Sequence, residues 1–243
     1  MPRVTRVSDM PVATAIARCT LWLVMAAAMA GCGVAPAPRA AGSGSVALGA
    51  PVPEPGRGLR NFGVVRKAVL FRGAQPDVDA GLGLDGYGDL LARYKVRTIV
   101  DLMNEPIDHW IKRRQSDCAR MTPLQRNSFK YVAIPAYEPF PTRANLARFL
   151  RVVARPDNQP VFVHCVDGEN RTGAMIAGFR VVEDLWSPVD AKAEMTNFAV
   201  LRIWQGVNDR FIDALARDRD ALRRELLAPE GGEATVVDCG AAR

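Results

Sequence analysis

The chain alternates between short apolar runs with strand spacing and longer stretches whose apolar positions recur every three or four residues. The strand-like runs are Phe62–Phe71, split in two around Arg66 and Lys67, then Val96–Leu102, Phe129–Ile134 and Val161–Val163. The clearest helical stretch is Arg143–Ala154, with Leu146, Phe149, Leu150 and Val153 on one face and Thr142 as its N-cap. Ala174 to Val182 reads as a helix with small residues on one side. Val189–Phe198 follows Ser187 as N-cap and Pro188 at the first turn, and Phe211, Ile212, Leu215 and Leu222 carry a helical period toward Leu226. Gly81–Arg93 is a helix weakened by glycines, Ile107–Arg120 a polar helix or irregular excursion, and Arg72–Pro76 a turn. This order predicts an α/β fold with a mainly parallel central sheet flanked by helices.

Both ends depart from the pattern. Arg3, Arg6 and Arg18 precede the apolar stretch Leu21–Ala30, which is too short to span a bilayer, so residues 1–31 read as an export leader. Met29-Ala30-Gly31-Cys32 is similar to a bacterial lipobox, which would make Cys32 the lipidated first residue of the mature chain. Met29 stands where such motifs usually carry Leu, and a plain signal peptide stays open. The expected location is periplasmic, or the outer face of a bacterial membrane with a lipid anchor. Residues 32–58, rich in Ala, Pro, Gly and Ser, are expected to be a disordered linker, residues 59–227 the domain, and 228–243 a disordered tail.

With 49% hydrophobic and 24% charged residues, 243 residues suit one globular domain or two. The net charge of +6 favours an anionic substrate or surface, with a scattered basic surface as the plainer alternative. Charge alone does not argue for nucleic acid, and none is expected as a partner. The chain holds only His109 and His164 and no Cys-x-x-Cys pair, a poor supply for a serine-hydrolase triad or a zinc centre. No metal or other cofactor is expected. Setting aside Cys19 and Cys32, Cys118 and Cys239 could pair while Cys165 stays free, or both could remain unpaired.

The candidate chemistry lies at Val161–Gly173, where a strand delivers His164 and Cys165 into a short loop and Thr172 begins a helix. Free backbone N–H groups and the positive helix end converge there, which suits an anion and favours a thiolate. Arg171 adds a planar cationic fork matched to phosphate oxygens. Gly168 lets the loop backbone turn its amides inward. Elsewhere, Asp101 and Glu105 end a strand, where hydrogen bonding to loop amides is preferred over catalysis. Lys112, Arg113 and Arg114 read as a solvated face, or else as a rim that gathers anions.

His164, Cys165, five residues, Arg171 and then Thr172-Gly173 resemble the phosphate-binding loop of the cysteine-dependent phosphatases, the protein tyrosine and dual-specificity superfamily. Leu70–Pro76, Val96–Leu102 and Trp186–Phe198 resemble its compact bacterial members, so the likeness covers roughly residues 60–210. It implies that Cys165 attacks phosphorus and forms a phosphocysteine, with phosphate held by Arg171 and the backbone of Val166, Asp167, Gly168, Glu169 and Asn170. It further implies that Thr172 donates to the Cys165 sulfur and that His164 buttresses the loop. Two carboxylates compete to protonate the leaving group: Asp167 inside the loop, slightly preferred, and Glu138 in the proline-fixed Ala136–Thr142 segment, where relatives carry a mobile acid. Phosphoinositide phosphatases with a loop acid usually place Asp directly before the arginine, and Asn170 stands there. Phosphotyrosine or phosphoserine/threonine in proteins is the expected substrate, with phosphoinositide or inositol phosphate as the alternative. A phosphate-binding module without catalysis and a rhodanese-type sulfurtransferase are the competing classes; sulfur transfer does not need Arg-Thr-Gly at this spacing.

Overall fold

The computed structural model describes residues 47–102, 104–134, 136, 141–227 and 235–238. The sheet begins with β1 (Gly63–Arg66) and β2 (Leu70–Ala74), joined by a tight turn with Ala68 at φ 58°. Next comes a small hairpin, β3 (Val78–Asp79) with β4 (Leu84–Asp85), then α1 (Gly86–Ala92), capped by the Asp85 side chain. After β5 (Thr98–Asp101) the chain runs through α2 (Ile107–Arg120) and α3 (Pro123–Ser128) into β6 (Lys130–Ala133). α4 (Arg143–Ala154) leads to β7 (Val161–Cys165) and α5 (Asn170–Val182). α6 (Pro188–Thr196), α7 (Arg202–Leu227) and β8 (Thr235–Asp238) complete the chain.

The main sheet has the order β1-β2-β7-β5-β6-β8. β2, β7, β5 and β6 are parallel, and β1 and β8 close the edges antiparallel, which is the expected α/β architecture. β7 is central and buried along its whole length, so Cys165 emerges at the carboxyl end of the sheet between β2 and β5. One face packs on α4, α5, α6 and α7 through Phe149, Leu150, Met175, Phe179 and Ile212. The other face packs on α1 and α2 through an aromatic cluster including Phe62, Tyr87, Trp110, Tyr131 and Phe162.

Several expectations need correction. Arg72–Pro76 is not a turn throughout: Leu70–Ala74 is a strand buried at every position, because pairing with β1 and β7 satisfies its backbone. Gly81–Arg93 is helical only from Gly86, the residues before it forming a hairpin. The basic cluster on α2 is a solvated face only at Lys112: Arg113 is half-buried, and Arg114 is wholly buried, pairing with Asp117 and donating to the Tyr87 hydroxyl at 3.1 Å. The linker is docked at its end: Val52 N–H donates to Phe62 O, Gly49 N–H to Glu194, and the Tyr94 hydroxyl to Pro55 O. These are backbone contacts, which composition does not reveal. Nor is the tail featureless, because Thr235–Asp238 pairs with β6 and covers its edge. Cys118 is disulfide-bonded and Cys165 is free; Cys239 lies outside the described residues, as does Cys32. Among the described residues no helix is long and apolar enough to cross a membrane, and no cluster of His, Cys, Asp and Glu is arranged to hold a metal.

Candidate active site

The loop from Cys165 to Arg171 rests on β2. Ala74 pairs with Cys165 in register, and just beyond, Gln75 N–H donates to Val166 O at 3.0 Å. Asn61 Nδ2 donates to Asp167 O at 3.1 Å, and Arg72 Nη2 donates to Gly168 O. Three successive carbonyls, those of Val166, Asp167 and Gly168, are thus turned away from the loop's concave side by donors just after β2, just before β1 and on β2. In a planar trans peptide the next N–H points opposite to its carbonyl. The amides of Asp167, Gly168 and Glu169 therefore face inward as an anion-binding nest. Gly168 is required for this path. Its φ is +73°, and a Cβ built on it would lie 2.4 Å from the carbonyl carbon of Gly73.

At the helix end, α5 starts at Asn170, two residues before the expected Thr172, so Arg171 lies in its first turn. Arg171 Nη1 donates to Leu102 O at 2.6 Å, which ties the fork to the end of β5. Asn170 Oδ1 accepts from Leu201 N–H at 3.2 Å. Cys165 is buried at the foot of the nest. A cysteine under inward amides, with an oriented arginine across a short loop at a helix N-terminus, is a phosphate-transfer arrangement.

A family model described as "DSP-PTPase phosphatase fused to NAD+ Kinase" matches residues 54–203, more than half of the chain. The chain belongs to this family. The DSP-PTPase assignment places it among the cysteine-dependent dual-specificity phosphatases. Solved structures show the same fold. The Siw14 catalytic core is 22% identical with a TM-score of 0.52, covering 70% of this chain and 90% of that chain. Pseudomonas aeruginosa TpbA is 24% identical with a TM-score of 0.50, covering 76% and 99%. The core catalytic domain of the PP-IP phosphatase SIW14 from Saccharomyces cerevisiae, in complex with citrate, is 22% identical with a TM-score of 0.49, covering 70% and 96%. No curated protein sequence matches.

Behind the DSP-PTPase loop the charges are tightly organised. His164 is fully buried, its Nδ1 donating to Cys165 O at 3.1 Å. Burial lowers its pKa; Asp101, 4.0 Å away, pulls the other way without prevailing, so the ring is neutral at pH 7. Burial pushes the Asp101 carboxyl up, but His164 once protonated in acid, Arg114, Arg113 and the Trp110 indole N–H together hold it below the usual carboxylate range. Asp101 Oδ2 accepts from Trp110 Nε1 and from Arg113 Nη2, both at 2.9 Å, rather than from loop amides as expected. Arg113 also grips Glu105 at 2.6 Å and reaches Gln75 Oε1 at 3.3 Å, joining α2 to the residue that fixes Val166. Arg113 of α2 is therefore a brace behind the phosphate loop.

The remaining candidates divide. Asp167 stands at the exposed edge of the loop with Oδ1 3.9 Å from Arg60, and Glu169 is its neighbour. Partial burial, aided by the Asp167 charge, raises the Glu169 pKa, which marks the rim as acidic. Thr172 Oγ1 is buried without a hydrogen-bond partner, so the expected bond to the Cys165 sulfur is not formed in this state. Val166 is exposed, and its carbonyl is held by Gln75 N–H. Glu138 lies outside the described residues. Sequence reasoning missed Asn61, Arg72 and Phe198, whose carbonyl accepts from Asn61 Nδ2 at 3.2 Å. The available hint was Arg72, a charge inside the apolar run Val69-Leu70-Phe71 that ends against Gly73.

Proposed function

We propose that this phosphatase hydrolyses phosphotyrosine or phosphoserine/threonine in proteins through a phosphocysteine intermediate. The supporting observation is the set of three loop carbonyls turned outward, which leaves only N–H groups facing the place where phosphate charge gathers. The dianion settles into this nest with Arg171 across two of its oxygens. The Cys165 thiolate attacks phosphorus in line, a sulfur–phosphorus bond forms, and the ester oxygen leaves with its bonding pair and takes a proton from Asp167. Water then attacks phosphorus, Asp167 accepts its proton, and the sulfur departs as thiolate, with the idle Thr172 hydroxyl free to donate to it.

The rim supports a peptide over a polyphosphorylated ligand. Asp167 and Glu169 stand side by side at the mouth, and Arg60, 3.9 Å from Asp167, is already engaged by Asp77 at 2.8 Å. An inositol polyphosphate would bring further negative charge to this edge. The test is phosphate release from a phosphotyrosine peptide, a phosphothreonine peptide, short-chain phosphoinositides and inositol hexakisphosphate, with Cys165→Ser as the control. A preference of at least ten-fold in kcat/KM for a peptide is expected; a preference for an inositol substrate overturns the substrate assignment while leaving the chemistry intact. The reading extends to an exported protein anchored through a lipid on Cys32, for which acyl incorporation lost in Cys32→Ala is the check.

A further inference from the structure

Arg72 is 1% exposed, yet most of its hydrogen-bonding capacity is unspent. Nη2 donates to Gly168 O and the guanidinium carbon lies 3.7 Å from the centre of the Phe198 ring, while Nε and Nη1 have no partner. Burying a guanidinium on one hydrogen bond and one ring contact forfeits much of its hydration, and an apolar side chain would fill the same space at lower cost. What the arginine adds is charge.

The anions around it are largely claimed by other cations. Glu194 on α6 is held by Arg180 on α5 at 2.7 and 2.9 Å, and Arg180 also pairs with Asp184. Asp101 on β5 is engaged by Arg113 and Trp110. His164 on β7 is neutral, and Arg171 faces the loop from Leu102. The Arg72 charge is faced by Glu194 and by Cys165, the latter one strand over, where Gly73 and Ala74 stand opposite His164 and Cys165. Burial lowers the Arg72 pKa to about 10, with Glu194 and Cys165 opposing the fall, so it stays cationic at neutral pH.

Resting on the reading of Cys165 as nucleophile, we propose that Arg72 is a positioning residue of this site: it locks the Gly168–Glu169 peptide with its amide inward and sets a buried cation one strand from Cys165 that supports the reactivity of the sulfur. It acts through the loop and does not touch phosphate. The phosphate site thus carries two arginines with separate tasks, Arg171 for the substrate and Arg72 for the nucleophile.

The test is the rate of Cys165 alkylation by iodoacetamide at about pH 5.5 and about pH 9, with kcat alongside, in wild type, Arg72→Met and Arg72→Lys. Arg72→Met is expected to react about ten-fold more slowly at the acidic pH and within about two-fold of wild type at the alkaline one, with kcat reduced. Arg72→Lys keeps the charge and loses the fork, so its acidic reactivity is expected to stay within about three-fold of wild type while kcat falls. A folded Arg72→Met that alkylates like wild type at the acidic pH overturns the proposal. Should that variant fail to fold, by near-ultraviolet circular dichroism, Arg72→Lys decides: a ten-fold acidic loss despite the retained charge overturns it. Alkylation needs no turnover, so this result is separable from the Cys165→Ser test of phosphatase chemistry.

Discussion

Arg171 Nη1 donates to the backbone carbonyl of Leu102 at 2.6 Å, so the arginine proposed to grip phosphate is oriented by the end of the neighbouring strand. One edge of the guanidinium is spent on the scaffold and the rest is left for ligand. A lysine offers one point charge and no second edge, and so cannot hold Leu102 and phosphate in the same geometry. Arg171→Lys is expected to lower kcat/KM by about 10²–10³-fold, as loss of a preorganised donor does. Steady-state kinetics on p-nitrophenyl phosphate measure it.

Gly168 is the tightest point of the loop. Its left-handed backbone and the 2.4 Å approach of a notional Cβ to Gly73 leave no room for a side chain. Gly168→Ala is expected to cost about 1–3 kcal/mol from backbone strain alone and to abolish activity by pushing the loop off β2. Thermal unfolding and turnover of the same preparation check both parts.

Much of this was legible in the sequence because it is local. The loop, its strand and its helix lie in one contiguous stretch, and α4 and α6 announce themselves by Thr142 and by Ser187-Pro188. The brace was hidden because it is assembled across the fold. Arg72, Asn61 and Gln75 reach the loop from β2 and the residues flanking it, and Arg113 comes from a helix whose basic run resembles any solvated face. Nothing in the spacing of Arg114 and Asp117 shows that both are buried. β8 escaped notice because an edge strand needs only backbone pairing, which the short segment Thr235–Asp238 supplies.

Acid should loosen the brace in two stages. His164 is neutral and its pKa lowered by burial, so below about pH 6.5 the unfolded chain takes up a proton that the folded one refuses, and stability falls. Asp101, also lowered once its four partners outweigh burial, contributes stability that is lost lower down, as pH falls below about 4. The thermal midpoint of wild type is expected to decline from about pH 6.5 downward. In His164→Gln that upper segment flattens while the loss near pH 4 remains. Equal slopes in the two proteins through the upper window would contradict the assignment.

The role of Asp167 is read from leaving groups. p-Nitrophenolate departs without a proton, whereas a serine alkoxide needs one. Asp167→Asn is expected to reduce kcat on a phosphoserine peptide by about 10²-fold or more and on p-nitrophenyl phosphate by only a few-fold. Equal losses on both substrates would point instead to a loop-positioning role for this residue.

The central claim is covalent catalysis at Cys165. Acid-quenching the enzyme during turnover and mapping the phosphate by mass spectrometry tests it most directly. The account predicts a phosphate adduct on the peptide containing Cys165, with neither adduct nor phosphate release in Cys165→Ser. Release of phosphate by Cys165→Ser at a rate near that of wild type would contradict it.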